Sequence, residues 1–303
     1  MDINKEIRNY LTKRRESAIN AFLKVNNPHP LLMEIFSELR EIDEKAVQNT
    51  FADELRKNCK EYWTAAEEGF NPEEKVQVLL FEYYYPHGTD PEAWAYGIMG
   101  NDFRISLIPY NYSSNDDFVS SIVSNYGVTL TTLSPLAKLG DDISPQYKDY
   151  DFVQEDGYLD LFDAFIFTTY LIFHDAFIEF VNSEEFKLLS REKILHVLIG
   201  EHDAWPSQPI YYVYNNIEEI KKAIKEQGDI EAYSLDFKFL VDSIIEDGNA
   251  EYIEEILSGL KSMIDDESLK SWAAKTLSYI YEQGFGVEID TDIARKYMKI
   301  SVE

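Results

Sequence analysis

Two histidine–aspartate pairs are the first groups in this chain able to do chemistry. One is His174-Asp175; the other, 28 residues on, is Glu201-His202-Asp203. Imidazole and carboxylate together make hydrolytic metal centres, in which a bound cation activates water. A metal-dependent hydrolase using His174, Glu201, His202 and Asp203 is therefore one reading. Against it, the second histidine of a metalloprotease helix motif is missing and no third partner follows, so an interior histidine and a loop histidine are the competing explanation. His29 lies between Pro28 and Pro30 and His87 in a turn cluster, both positions that suit a structural role. Cys59 is the single cysteine, flanked by Lys57 and Lys60, cations of the kind that lower a thiol pKa. No histidine stands near it in sequence to complete a catalytic pair. The nucleophile elbow, the phosphate-binding loop and the dinucleotide fingerprint are all absent from the sequence. No catalytic residue and no cofactor are expected.

A more informative pattern lies between Asp141 and Asp163. Asp141, Asp142, Asp149, Asp151, Glu155, Asp156, Asp160 and Asp163 share this stretch with a single cation, Lys148. Tyr147, Tyr150, Phe152, Tyr158 and Phe162 are interleaved. Acidic fields steer basic proteins and speed encounter, and aromatic side chains serve as anchors once docked. The expected partner-binding residues are Asp149, Tyr150, Asp151, Phe152, Glu155, Asp156 and Tyr158. The competing reading is a solvated loop leading into a helix.

The whole chain carries the same sign. Its 303 residues hold 56 Asp+Glu against 28 Lys+Arg, a formal net charge of −28. That balance disfavours nucleic-acid and anionic-membrane partners, whose affinity comes from clustered Lys and Arg. Apolar residues reach 45%, too many for a disordered chain and enough for a sizeable core. The most apolar stretch is Tyr158–Phe180. Its longest uncharged run, Ala164–Phe173, is about half of what a bilayer span needs, which favours a buried helix. The opening residues Met1–Glu6 contain no apolar core of a secretory leader, and one cysteine cannot form an internal disulfide. A cytoplasmic location is the expectation.

These groups need elements to position them. Ile7, Tyr10, Leu11, Ala18, Phe22 and Leu23 recur at helical spacing, and Pro28 and Pro30 separate that helix from the next. Leu31–Gly69 reads as one or two further helices. Lys75–Tyr85 is β-branched and aromatic and predicts a strand; Ala93–Met99 and Phe103–Tyr110 follow as the second and third strands of an antiparallel meander. Asn115–Ser124 reads as a short helix, Tyr126–Ser134 as a strand, Gly140–Gly157 as a loop, Leu159–Val181 as a long buried helix and Arg191–Leu198 as a shorter helix. Ile210–Tyr214 predicts the last strand. From Asn216 onward the pattern is helical. The fold class expected is α+β: an α+β domain of N-terminal helices plus an antiparallel sheet meander over residues 1–215, then an all-α repeat-like region over 216–303.

Within that last region Ala274, Leu277, Ile280, Tyr281, Gly284, Gly286, Val287, Asp290, Ala294 and Tyr297 form a recognisable set. The segment Ser271–Val302 resembles a Sel-one-like repeat, a relative of the tetratricopeptide repeat. The resemblance implies an antiparallel helix pair, Ser271–Tyr281 and Thr291–Ile300, with Ala274 and Ala294 at its crossing, and a protein-binding scaffold in place of catalysis. An earlier copy at an offset of 37 residues aligns Leu240 with Leu277 and Leu260 with Tyr297, without the glycine pair.

The reading that joins these observations is a non-enzymatic acidic protein-binding module, with an immunity protein that neutralises a basic toxin such as a nuclease as its concrete form. The metal-dependent hydrolase and a helical-repeat scaffold in a regulatory complex are the alternatives. One consequence is physical. A chain at −28 repels itself, and salt screens exposed charges within about 8 Å at physiological ionic strength. Raising salt from low to moderate concentration is expected to raise the melting temperature; a steady fall in a salt series would mean that ion pairs outweigh the repulsion.

Overall fold

The structure is a computed structural model. It describes residues 3–64, 75–84, 91–98, 105, 126–139, 150, 152–202, 207–216, 219–220, 253–264, 270–284 and 287–301. The chain divides into two compact units, Met1–Lys222 and Ala223–Glu303.

The first unit is α+β. Three helices lead: α1 (Ile3–Phe22), α2 (Pro30–Glu41) and α3 (Glu44–Asn58), the last running into a single π-helical turn, Cys59–Trp63. Strands β1 (Val76–Tyr83), β2 (Glu92–Ile98) and β3 (Val128–Thr129) follow, then the 3₁₀ segments Thr131–Leu139 and Phe152–Gln154. Helix α4 (Tyr158–Val181), a 3₁₀ turn at Phe186–Leu188, and strands β4 (Arg191–Glu201) and β5 (Gln208–Val213) complete it.

Local chemistry sets the helix ends. Pro30 opens α2, where its missing N–H costs nothing, and the His29 ring accepts a hydrogen bond from the Leu31 N–H at 3.1 Å. Asp43 caps α3 through the Ala46 N–H at 3.1 Å.

The sheet has the order β3-β2-β1-β4-β5. β1, β2 and β3 pair antiparallel in succession, as a meander does. β4 lies parallel to β1, so the five-stranded sheet is mixed and not antiparallel throughout. The meander is one part of this larger sheet; the expectation corrected is Arg191–Leu198, a strand in place of a helix. Its Arg, Glu, Lys and Leu favour helix, yet Leu195–Gly200 is buried along its length between β1 and β5. A central strand covered on both faces reads as a continuous apolar run, and packing overrides local propensity. The strand expected over Tyr126–Ser134 is only two residues long. Pro135, with no N–H for a ladder, falls in the 3₁₀ segment that replaces it. The proposed strand Phe103–Tyr110 and helix Asn115–Ser124 lie outside the described residues, except Ile105, which is buried.

Helix α4 is the core. Sixteen of its 24 residues are buried, on every side of the helix. It is long and apolar enough to span a membrane by length and composition, and 78% of its most apolar window is buried inside the fold. Phe173 and Phe177 meet Phe81 of β1 edge-on at 4.8 and 6.4 Å. Phe51 of α3 and Trp63 close the same cluster against Phe173 and Phe180. Helix α1 lies along α4, with Arg14 buried between them, its guanidinium 3.3 Å from Asp163 and 4.7 Å from the Phe167 ring. On the opposite face of the sheet Val78, Leu80, Ile98 and Leu198 form a second buried cluster.

Helix side chains serve both outer strands. On β5 the Asn4 amide donates to the Tyr212 carbonyl and accepts from the Tyr212 N–H, both at 2.8 Å. Beside β3, Glu54 accepts from the Thr129 N–H at 2.8 Å, the Trp63 indole donates to the Tyr126 carbonyl at 2.8 Å, and Asn58 donates to the Gly127 carbonyl. Gly127 is obligatory here, since a Cβ would lie 1.5 Å from the Ala93 carbonyl oxygen. Edge strands left open invite pairing with other chains, and these side chains occupy the open groups.

In the second unit α5 (Ile253–Met263), α6 (Lys270–Gln283) and α7 (Thr291–Ile300) pack in succession.

Asn4→Ala removes two part-buried hydrogen bonds to the edge strand β5 and is expected to destabilise the first unit by about 1–3 kcal/mol. Asn4→Asp, which keeps the acceptor alone, should fall between. Urea denaturation followed by circular dichroism measures both, and an unchanged Asn4→Ala midpoint would show that these two bonds do not stabilise the unit.

Candidate functional site

The acidic segment ends on a packed platform. Tyr150 packs tilted against the His29 ring and Phe152 meets it edge-on, with centroids at 5.3 and 5.2 Å, and the two pack against each other at 4.7 Å. The Tyr150 hydroxyl donates to the Glu155 carboxylate. Phe152 and Tyr158 are buried, with 4% and 5% of their surface exposed. The expectation that these two serve as docking anchors is corrected: they fix the segment to the fold, and truncating them opens cavities. The exposed apolar groups are Tyr150, Val153 and Leu159, all within ten residues and set among Glu155, Asp156 and Asp160. Burial pushes the Asp160 carboxyl above its usual range. Asp149 and Asp151 lie outside the described residues. Val153 and Leu159 escaped the sequence reading because an apolar residue in a loop or first helical turn carries no sign of its exposure.

The histidine–carboxylate groups do not converge. His174 is buried on α4, its Nδ1 2.7 Å from the Ile210 carbonyl oxygen of β5. His202 follows the end of β4, half-buried, with Nδ1 3.1 Å from Glu82 Oε2 and its ring 4.6 Å from that of Tyr84. Glu201 is the last residue of β4, and Asp203 lies outside the described residues. Among the described residues no group of three His, Cys, Asp or Glu is disposed to hold a metal ion. His87 also lies outside them. Within the core, the Tyr83 and Tyr170 hydroxyls share a hydrogen bond of 3.0 Å. Burial raises both above the ordinary phenol range, and burial with the nearby Glu201 charge pushes Tyr158 up to about 12.

Cys59 is buried, its Sγ 3.2 Å from the Glu185 carbonyl oxygen. Burial and the Glu185 carboxylate push the thiol up from 9.0 to about 12, the reverse of the activation that Lys57 and Lys60 suggested.

In the second unit, Gly284 adopts φ +74°, which ends α6, and Asp290 caps α7 through the Asp292 and Ile293 N–H groups at 3.0 and 2.9 Å. Ser271 donates to the Ser301 carbonyl at 2.8 Å, and the Asp290 N–H to that of Tyr281 at 3.0 Å, so the two helices run antiparallel. Tyr281 and Tyr297 stack at 6.1 Å. Ala274 and Ala294 are both buried, but this register sets them at different levels of the pair, Ala294 opposite Leu277–Ser278 and Ala274 nearer Ser301.

The arrangement thus defines an α+β unit with an acidic, partly apolar exposed segment, and a separate helical unit. No family model, curated protein or solved structure matches the chain.

The Cys59 thiol gives a pH prediction. Its folded pKa is raised, so the folded state keeps a proton that the unfolded chain loses near pH 9. Stability is intact below pH 9 and declines as pH rises toward 12, by up to about 1.4 kcal/mol per pH unit from this group. Above pH 10 Tyr83, Tyr158 and Tyr170 steepen the decline. Urea titrations at pH 8, 9 and 10 are expected to show the fall begin above 9, and Cys59→Ala to flatten it between 9 and 10. Rapid alkylation of the folded protein at pH 8 would contradict the shielding.

Proposed function

We propose that this chain is a non-enzymatic protein-binding module whose partner is a basic protein, and that it acts as an immunity protein neutralising a cationic toxin such as a nuclease. The observation that carries the reading is the exposed set Tyr150, Val153 and Leu159, which stands among Glu155, Asp156 and Asp160 on a chain of net charge −28. Apolar anchors within a field of one sign suit a partner of opposite charge: the charges govern encounter and the anchors govern residence. A cytoplasmic site of action accords with such a role. The α6–α7 hairpin, with Gly284 in its turn and Asp290 at its cap, supports assigning the second unit to the Sel-one-like repeats. On that reading its helices provide further protein-binding surface.

The first partner to test is the product of the neighbouring gene, whatever its charge. Surface plasmon resonance with the purified pair is expected to show association that slows about tenfold at low salt when Asp149, Asp151, Glu155 and Asp156 are together replaced by their amides. Tyr150→Ala is expected to leave association alone and speed dissociation, at a cost of about 1 kcal/mol or more. Circular dichroism establishes first that both variants are folded. Co-expression is expected to protect cells from the partner's toxicity. A complex that forms with unchanged on-rate and salt dependence uses another surface, and failure to bind or protect removes the immunity reading.

A further inference from the structure

The charge of this chain is not evenly spread. A cleft of about 980 Å³ opens in the first unit where the start of β4 and the end of β5 meet the first turns of α1 and the second half of α4. Its described lining includes Lys5, Arg8, Lys75, Lys187, Arg191 and Lys193, with Glu192 as the one acid. The whole chain has two acids for each cation; here the ratio is inverted six to one. The formal excess is five, or three once Asp175 and Glu184, which pair with Arg8 and Lys187, are counted.

Those two pairs account for Arg8 and Lys187. For Lys75, Arg191 and Lys193 no carboxylate lies within ion-pair distance among the described residues, in a chain with acids to spare. Arg191 is held in place: its guanidinium lies 5.3 Å over the Phe186 ring and Nη1 donates to the Glu192 carbonyl at 3.1 Å. Burial lowers its pKa, so the charged form lacks the stabilisation that a bound anion would restore. A concave wall of low dielectric focuses such a field.

We propose that this cleft binds a small, multiply charged anion that carries its charge on a chain of phosphate groups, with Arg191, Lys193 and Lys75 as the principal contacts. Three considerations select that chemistry. A guanidinium fork with neighbouring ammonium groups matches phosphate oxygens, the fork bidentate and the ammoniums as point charges. The local excess of three to five charges matches a triphosphate, whereas a monoanion gains little inside a chain of net charge −28. The volume is that of a small-molecule pocket, and a longer polyanion such as a nucleic acid would meet the surrounding acidic surface. The phosphate chain can be free or belong to a nucleotide. Tyr211 lines the same cleft, its ring 5.5 and 5.8 Å from those of His174 and Phe177.

Isothermal titration calorimetry of the full chain in magnesium-free, low-salt buffer tests this with ATP and with inorganic tripolyphosphate. Saturable binding at one site per chain is expected for at least one of them. Lys193→Glu, at an exposed position, and Lys75→Glu are each expected to weaken it about tenfold or more. Lys193→Arg should retain it, and Lys24→Glu, on exposed surface after α1, should leave it within about twofold. Tighter ATP than tripolyphosphate assigns the site to a nucleotide; equal affinity assigns it to the phosphate chain alone. Absence of saturation by both anions at millimolar concentration overturns the proposal. So does an equal loss in the Lys24 variant, which would mark the binding as a property of the overall field.

Discussion

A helix whose central turns are apolar all round must be covered there on every side, and in this protein that requirement falls on α4 between Ala164 and Phe173. Amphipathic helices need one packed face; α4 needs a sheet beneath it and helices along its flanks. Strand β1 supplies Phe81, α3 supplies Phe51, and α1 supplies an apolar stripe from Ile3 to Phe22. Burial of this kind is worth about 25 cal/mol per Å² of apolar surface, and α4 contributes sixteen buried residues to it. Polar contacts arrange themselves at its margin. Asp175 of α4 takes both nitrogens of the Arg8 fork at 2.9 Å, and Glu179 accepts from Lys45 and Gln48 at 2.7 Å. Those contacts fix the rotation of α1 and α3 on a surface that the apolar groups alone leave slippery.

Several features of this scheme are written in the local sequence. The strands β1 and β2 declare themselves through KVQVLLFEYYY and the alternating segment after Pro91, and α4 through a run of aromatic and aliphatic residues too short of charge to be a surface helix. Pro30 and Asp290 mark helix starts by chemistry that any neighbourhood respects. Arg191–Glu201 shows where local reading stops. Its composition suits a helix, and only the partners on either side, each far away in the chain, make it a strand. The parallel alignment of β1 and β4 has no local signature for the same reason.

Site chemistry divides along the same line. The acidic run before α4 is plain in the sequence, but which of its aromatics face solvent depends on His29, more than a hundred residues earlier. Phe152 turns inward onto that ring while Tyr150 keeps two fifths of its surface exposed. The cationic cleft is less legible still, since Lys5, Lys75 and Lys193 come from three separate segments and each is unremarkable where it stands. Proximity of Cys59 to Lys57 and Lys60 along the chain likewise says nothing of the Glu185 carbonyl that the thiol meets.

The parallel seam at the centre of the sheet also sets the order in which the molecule can be built. Val78 of β1 pairs with His196 of β4, 118 positions further along the chain. Closing so long a loop costs entropy before any contact repays it, and such topologies fold slowly. The β1–β2 hairpin needs no such closure and can form while β4 is still unplaced. Until β4 arrives, one side of β1 remains a row of unpaired amides in a strongly apolar strand, an open edge prone to pairing with other chains. The high negative charge thus has a kinetic use separate from any partner: like-charged chains keep apart for as long as that seam stays open.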